Sequence, residues 1–224
     1  MSDFSSDLDK DAPRRGEPLF KGPWTVGALA LLLVVCYAIQ SWVLGKPNGV
    51  DGLWFSPQDL AHGRYFTLVT ALFLHGGWPH VLFNSGFALA FGAPVAWRFG
   101  LKPIGVLGFF VFYIVCGVLA NLGFALVDHS PNAAVLGASG AVSGLMGGAS
   151  RLMGRFEDEP LAPFSSRSVV GMAAAWISCN LLVGLFGSGL LAGGAPVAWQ
   201  AHLFGYLAGL LLIGPAAKVL DPLR

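Results

Sequence analysis

The chain has 224 residues, of which 55% are hydrophobic and only 11% are charged. A soluble domain usually carries about a quarter charged residues, so this deficit indicates a membrane protein and argues against a water-soluble globular domain. The formal net charge of +1 argues against a nucleic-acid partner. The three cysteines lie in separate apolar runs without metal-ligand spacing, so we expect neither a disulfide framework nor a metal site.

The first 23 residues mix serine, aspartate, proline and charges of both signs without apolar periodicity, which predicts a disordered tail. An apolar run from Trp24 to Leu44 follows. This run is too long for the core of a signal peptide and lacks a clear cleavage site. Because about 20 helical residues cross a hydrocarbon core of about 30 Å, we predict that it spans the membrane.

Five further candidate spans follow, separated by charged segments or by segments rich in proline and glycine. Their predicted ranges are 80–97, 103–127, 135–150, 168–187 and 197–217. Nothing repeats at a fixed period, so residues 24–217 are predicted to form one domain, with a C-terminal tail over 218–224. The predicted fold is an all-α membrane protein built as a bundle of six transmembrane helices.

Basic residues are concentrated on one side of this topology. Eleven of the 13 lysines and arginines lie in the two tails and in the loops 98–102 and 151–167, whereas Lys46 and Arg64 lie on the opposite side. By the positive-inside rule, both termini face the cytoplasm, and an even number of spans agrees with this. We therefore predict a multi-pass protein of the plasma or inner membrane, with the lipid bilayer as its first partner.

Two outer loops stand out. Residues 45–79 are aromatic and amphipathic but too polar at the start of DLAHGRYFTLVTALFLHGGW to span, so we expect a partly embedded helix there. Irregular backbone at that depth needs shelter from surrounding protein. The loop GSGLLAGGAP, residues 187–196, has no charge and four glycines, which suits either a mobile lid or a plain flexible connector.

Polar side chains that can do chemistry converge near the outer face. His80 and Asn84 lie at the start of the second span, Ser139 about four residues into the fourth, and His202 about five residues into the sixth. Three remote segments thus place a hydroxyl, imidazoles and an amide in one layer. No acidic residue lies in any span; the other polar candidates are His75, Asn121, Ser143 and Asn180.

A serine in a helix rich in glycine and alanine is often only a packing residue bonded to its own helix. The spacing of Gly140 with Gly144 and of Gly205 with Gly209 also indicates close helix packing. Packing and chemistry are compatible here, since small residues would let Ser139 approach His202. Ionisable residues within a membrane are functional by default.

Three motifs in this chain resemble those of the rhomboid family of intramembrane serine proteases, over roughly residues 24–217. GASG at 137–140 matches GxSG, HGGWPH at 75–80 followed by Asn84 matches HGGxxHxxxN, and AHLFG at 201–205 with Gly209 matches AHxxGxxxG. The resemblance implies Ser139 as nucleophile, His202 as general base, and His80 with Asn84 as oxyanion stabilisers. The supporting residues of these motifs are His75, Gly137, Gly140, Gly205 and Gly209.

The chemistry of the residues agrees with these roles, because a serine hydroxyl needs an adjacent base to become a nucleophile. With no carboxylate in any span, we expect a Ser–His dyad whose imidazole is oriented by packing; Asp128 is a weaker alternative as a third member. No cofactor is expected. Two departures from the family pattern concern the support of the site: Ser143 replaces a common aromatic residue, and Arg64 is out of register with the family's Trp-Arg pair.

The sequence predicts an endopeptidase that cuts single-pass transmembrane proteins near their outer ends, at small residues where the helix is weak. The main alternative is an inactive rhomboid-like protein that binds membrane segments, although binding would require neither Ser139 nor His202. A transporter would predict polar residues along several spans and internal symmetry, which are not seen. A metalloprotease would need HExxH and a nearby carboxylate, and neither accompanies His75 and His80.

Overall fold

The computed structural model describes residues 22–130, 133–154, 159–186 and 197–221. Most of the predicted N-terminal tail, the loop 187–196 and the last three residues lie outside this part of the chain. Within it, the secondary structure consists of helices without any strand, which confirms the all-α prediction. One isolated antiparallel bridge joins Phe55 to Val135.

The helices of the bundle are joined by connections of very different length. Their bounds are α1 Trp24–Ala38, α2 Pro57–Ala61, α3 Thr67–Thr70, α4 Trp78–Phe99, α5 Pro103–Val127, α6 Ser139–Ser150, α7 Arg167–Phe186 and α8 Trp199–Leu220. A π-helical segment, Ile39–Val43, extends α1, and a 3₁₀ turn, Ala71–Phe73, follows α3. Within the part of the chain that the structure describes, three segments are long and apolar enough to cross a membrane: α1 with its extension, α5 and α8.

The six predicted spans correspond to α1 with its π-helical extension, α4, α5, α6, α7 and α8, and two boundaries differ by three residues or more. α6 begins at Ser139, four residues after the start predicted at 135. The preceding segment pairs with the outer loop instead: the Val135 N–H donates to the Phe55 carbonyl at 2.7 Å. α8 continues to Leu220, so residues 218–220 of the predicted C-terminal tail are helical.

The centre of the bundle is α6, in which every residue from Gly140 to Ser150 is buried. Its glycines bring it into backbone contact with α8: a methyl group on Gly205 would collide with the Gly140 carbonyl, and one on Gly209 with the Gly144 carbonyl. Such contact is the reason for small residues at membrane helix interfaces. The close packing predicted from the glycine spacing is therefore present.

The first outer loop is a packed layer rather than one helix. It contains α2, α3 and the 3₁₀ turn, and hydrogen bonds attach it to the bundle. The Asn121 side chain of α5 donates to the Leu68 carbonyl at 3.0 Å, and the Gln40 amide donates to the His75 carbonyl at 2.6 Å. Arg64, which is out of register with the family pattern, forms an ion pair with Asp59 within this layer. The backbone just before α6 thus rests on a well-anchored outer loop.

Candidate active site

Ser139 is the first residue of α6, and the backbone before it makes a sharp turn. Gly137 has a φ of 124°, a region that glycine alone adopts without strain, and its N–H donates to the Ala71 carbonyl at 2.9 Å. This turn presents the serine side chain at the helix start. Ser139 Oγ lies 2.8 Å from Nε2 of His202, in the first turn of α8. The sequence prediction that these two side chains meet agrees with this geometry.

The other ring nitrogen of His202 also has a partner. Nδ1 lies 2.7 Å from Oδ1 of Asn180 on α7. The indole of Trp176, one turn earlier on α7, packs beside the imidazole with ring centroids 6.0 Å apart. The Trp176 contact agrees with the expectation that packing orients the imidazole, and the hydrogen bond from Asn180, which was not predicted, holds it as well.

His80 and Asn84 approach the same turn from the first part of α4. A Cβ on Gly137 would lie 2.8 Å from His80 Nε2 and 3.8 Å from Asn84 Nδ2, so both nitrogens face the backbone two residues before Ser139. The Gly76 N–H donates to His80 Nδ1 at 3.4 Å, which leaves the proton of a neutral ring on Nε2. Asn84 Nδ2 is buried and has no hydrogen-bond partner among the described residues. Two side-chain nitrogens therefore converge on the turn that precedes Ser139.

His75 contacts both His80 and the turn that precedes Ser139. Its backbone N–H donates to Gln40 Oε1 at 3.1 Å. Its ring Nε2 accepts from the Ala138 N–H at 3.5 Å and lies edge-on to the His80 ring, with centroids 5.1 Å apart. Burial, and then the neighbouring His80, lower the pKa of His75 to about 3, so the ring is neutral. His75 therefore ties the α6 start to the loop.

Comparison with known proteins gives the family. Residues 62–218 match the model of the Rhomboid domain. This chain belongs to the rhomboid family. With the three helices apolar enough to span a bilayer, membership makes the chain an integral membrane protein.

Three relatives come from a bacterium, a parasite and a plant. The chain is 29% identical over 153 residues to YdcA of Bacillus subtilis (strain 168), a match that covers 68% of both proteins. It is 33% identical over 156 residues to Rhomboid-like protease 5 of Toxoplasma gondii, covering 67% of this chain and 16% of that protein. It is 32% identical over 85 residues to RHOMBOID-like protein 5 of Arabidopsis thaliana, covering 38% and 26%.

The two departures from the rhomboid pattern, Ser143 and the position of Arg64, both have hydrogen-bond or ion-pair partners in the structure. Ser143 Oγ donates to the Ser139 carbonyl at 2.7 Å, a bond within its own helix. The aromatic ring beside His202 comes from Trp176 on α7 rather than from α6. Arg64 pairs with Asp59 in the outer loop. Both departures alter how the site is supported and leave its chemical groups in place.

The weaker sequence alternatives do not reach the site. Asp128 is half-buried directly after α5, and hydrogen bonds from the Ser130 side chain and from the Ser130 N–H, the latter at 3.0 Å, lower the pKa of its carboxyl group. Among the described residues, no group of three or more His, Cys, Asp or Glu side chains is arranged to hold a metal ion. What the site offers is a hydroxyl, imidazoles and amides, which suit proton transfer and nucleophilic attack.

Sequence reasoning missed the roles of Asn180 and Trp176. Asn180 was one of several polar candidates without an assigned partner, and Trp176 was not considered. One signal was available: Asn180 is the only amide in an otherwise apolar helix, and such a group in a membrane requires a hydrogen-bond partner.

Proposed function

We propose that this rhomboid-family protein is an intramembrane serine endopeptidase that cleaves transmembrane segments of other membrane proteins. The observation that carries the proposal is the distance of 2.8 Å between Ser139 Oγ and His202 Nε2. This distance lies within the range for a nucleophile and its general base. The name of the Toxoplasma relative, a rhomboid-like protease, is consistent with the same activity.

The reaction begins when Ser139 Oγ attacks the scissile carbonyl carbon and His202 Nε2 takes the hydroxyl proton. The tetrahedral intermediate collapses as the imidazolium gives that proton to the leaving amine, which leaves an acyl-enzyme. Water then attacks the ester, with His202 accepting a proton from the water and returning it to Ser139 Oγ. One imidazole thus serves as base and acid in both halves of the reaction.

Negative charge on the scissile oxygen is stabilised by three donors close to the start of α6. They are His80 Nε2–H, Asn84 Nδ2–H and the backbone N–H of Ser139. Asn84 Nδ2 is buried without a partner among the described residues, so it is available to donate to the scissile oxygen as negative charge develops there. The start of α6 adds the positive end of a helix dipole. Donors fixed before the reaction act without reorganisation.

The substrates of this reaction are single-pass transmembrane proteins. The site lies among membrane helices, so the scissile segment enters sideways from the bilayer. Its backbone groups are bonded to one another while it is helical, and the bond must first be exposed. Cleavage therefore falls near the outer end of the substrate, at small residues in a weak helix. The distribution of basic residues supports cytoplasmic termini in a plasma or inner membrane.

Two measurements on the purified protein in liposomes test the proposal. A fluorophosphonate probe should modify the wild-type chain, and peptide mapping should locate the adduct on Ser139. A fluorogenic transmembrane substrate should be cleaved by the wild type and by Ser143→Ala but not by Ser139→Ala. Binding of the substrate without labelling or cleavage would identify an inactive rhomboid-like binding protein instead.

A further inference from the structure

Asn180 lies between two groups that determine the orientation of its amide. Nδ2 is 2.8 Å from the Trp176 carbonyl oxygen on the preceding turn of α7, and Oδ1 is 2.7 Å from His202 Nδ1. A carbonyl oxygen only accepts hydrogen bonds, so the amide nitrogen must face Trp176. The amide oxygen must then face the imidazole.

This orientation decides which nitrogen of His202 carries the proton. Because Asn180 Oδ1 is an acceptor, Nδ1 of the neutral ring donates to it. The lone pair is then on Nε2, 2.8 Å from Ser139 Oγ. A general base for Ser139 needs this tautomer, since Nε2 must accept the hydroxyl proton.

Asn180 is also the polar attachment of α7 to the rest of the site. Among the α7 residues with described side chains, only Val169 and Asn180 are buried, with 3% and 2% of their surface exposed. Both polar ends of the Asn180 side chain are used, one on its own helix and one on α8. Asn180, the third hydrogen-bonded residue of the site, therefore lies on a helix, α7, of which few other described side chains are buried.

We propose that Asn180 is a positioning residue that completes a Ser139–His202–Asn180 chain and fixes His202 as the Nδ1–H tautomer. This inference rests on the proposed protease function. A neutral amide orients the imidazole without placing a carboxylate in an apolar layer, where an unpaired charge is costly. It stabilises the imidazolium less than a carboxylate does, so its loss costs less than the loss of the acid in a Ser–His–Asp triad.

Kinetics of two substitutions test the role of the amide oxygen. Asn180→Leu has a similar volume without an acceptor, and we expect kcat to fall by about 10²-fold with KM nearly unchanged, as for a misaligned catalytic group. Asn180→Asp retains an acceptor toward Nδ1 and should recover most of that loss. The matched control is Asn121→Leu, since Asn121 is an equally buried amide, 2% exposed, that bonds the Leu68 carbonyl away from His202.

The control separates positioning from general support of the fold. Asn121→Leu should lower the unfolding temperature while the folded fraction keeps the wild-type kcat. The inference is overturned if Asn180→Leu, compared at equal folded fraction, keeps kcat within about twofold of wild type. It is also overturned if the Leu and Asp variants lose kcat equally.

A second measurement needs no activity. ¹⁵N spectra of the histidine rings, with His202 assigned by comparison with His202→Gln, report which ring nitrogen is protonated. We expect the Nδ1–H tautomer in the wild type and its loss or mixing in Asn180→Leu; an Nε2–H tautomer in the wild type would refute the inference. A wild-type protein that has the Nδ1–H tautomer but cleaves nothing would refute the protease function and leave the positioning role intact.

Discussion

The two halves of the site differ in how far their hydrogen bonds are satisfied. On the side of α6 and α8, Ser139 Oγ and both ring nitrogens of His202 have partners. On the side of α4, Asn84 Nδ2 is buried without one among the described residues. A buried donor without a partner costs about 1–3 kcal/mol, and an acceptor on the substrate would remove that cost. On the proposed mechanism, the contrast separates a proton-transfer half, Ser139 with His202, from an oxyanion half, His80 with Asn84, in which the Asn84 donor is left for the charge of the transition state.

The largest expected effect comes from a substitution in the proton-transfer half. Ser139→Ala should remove all measurable cleavage, more than about 10³-fold, because the nucleophile is lost and no other group takes its role. Its unfolding temperature should match the wild type, since only one oxygen is removed. Cleavage of a fluorogenic transmembrane substrate in liposomes measures the loss, and turnover close to wild type would rule out Ser139 as the nucleophile.

Substitutions in the oxyanion half, His80 with Asn84, should lower kcat rather than weaken substrate binding. For Asn84→Ala we expect a loss of about 10²–10³ in kcat with little change in KM, because the amide acts on the charge of the transition state. His80→Ala should behave similarly. Ser85→Ala is the neighbouring control, since Ser85 Oγ faces α1 and bonds the Ala30 carbonyl at 3.4 Å. A raised KM with unchanged kcat in Asn84→Ala would show that this side chain holds substrate instead.

The contact between α6 and α8 holds the two side chains of the proton-transfer half, Ser139 and His202, close to each other. In Gly205→Ala the new methyl group collides with the Gly140 carbonyl, so α8 must shift and carry His202 away from Ser139. We expect activity to fall by about 10²-fold together with the unfolding temperature. Gly86→Ala on α4 is the control, because a Cβ there meets nothing within 4 Å. Equal activities in the two variants would contradict this account of the contact.

His75 joins the two halves through the loop, and its loss should act mainly on stability. In His75→Ala the Ala138 N–H loses its acceptor and a buried ring is removed, which should cost about 1–3 kcal/mol of unfolding free energy. The folded fraction should retain kcat within about tenfold. Thermal unfolding measures the first effect, with exposed His62→Ala as the control. A kcat loss as large as that of Asn84→Ala would assign His75 to the reaction itself.

The smallest effect is expected from the second serine of α6. Ser143 Oγ bonds the Ser139 carbonyl of its own helix, so Ser143→Ala should change cleavage by no more than about twofold. This variant therefore serves as the matched partner of Ser139→Ala. If Ser143→Ala were inactive and Ser139→Ala active, the nucleophile would have been assigned to the wrong serine.

The sequence predicted the elements whose boundaries are marked locally. α5 agrees with its predicted range because Lys102 and Asp128 enclose one continuous apolar run. The start of α6 was placed four residues early, because residues 135–138 are small or apolar, yet Val135 pairs with the distant Phe55 and the Gly137 N–H donates to Ala71. Local pattern carries no information about such a long-range bond.

In the site, too, local features could be predicted and long-range contacts could not. The meeting of Ser139 and His202 could be predicted because depth along a helix follows from counting residues. The partnership of Asn180 with His202 could not, because it depends on the rotation of α7 about its own axis. Almost every residue of that helix is apolar whether buried or exposed, so its periodicity identifies no inner face.

The position of His202 on α8 also determines when, during synthesis of the chain, the site becomes complete. Chains are synthesised from the N-terminus, so α4 and α6 are made before α8. On the proposed mechanism, a nascent chain that has inserted α4 and α6 but not α8 has donors and a nucleophile without a base, and it cannot cleave the proteins that surround it during biogenesis. Proteolytic capacity would then be acquired only when α8 docks against α6.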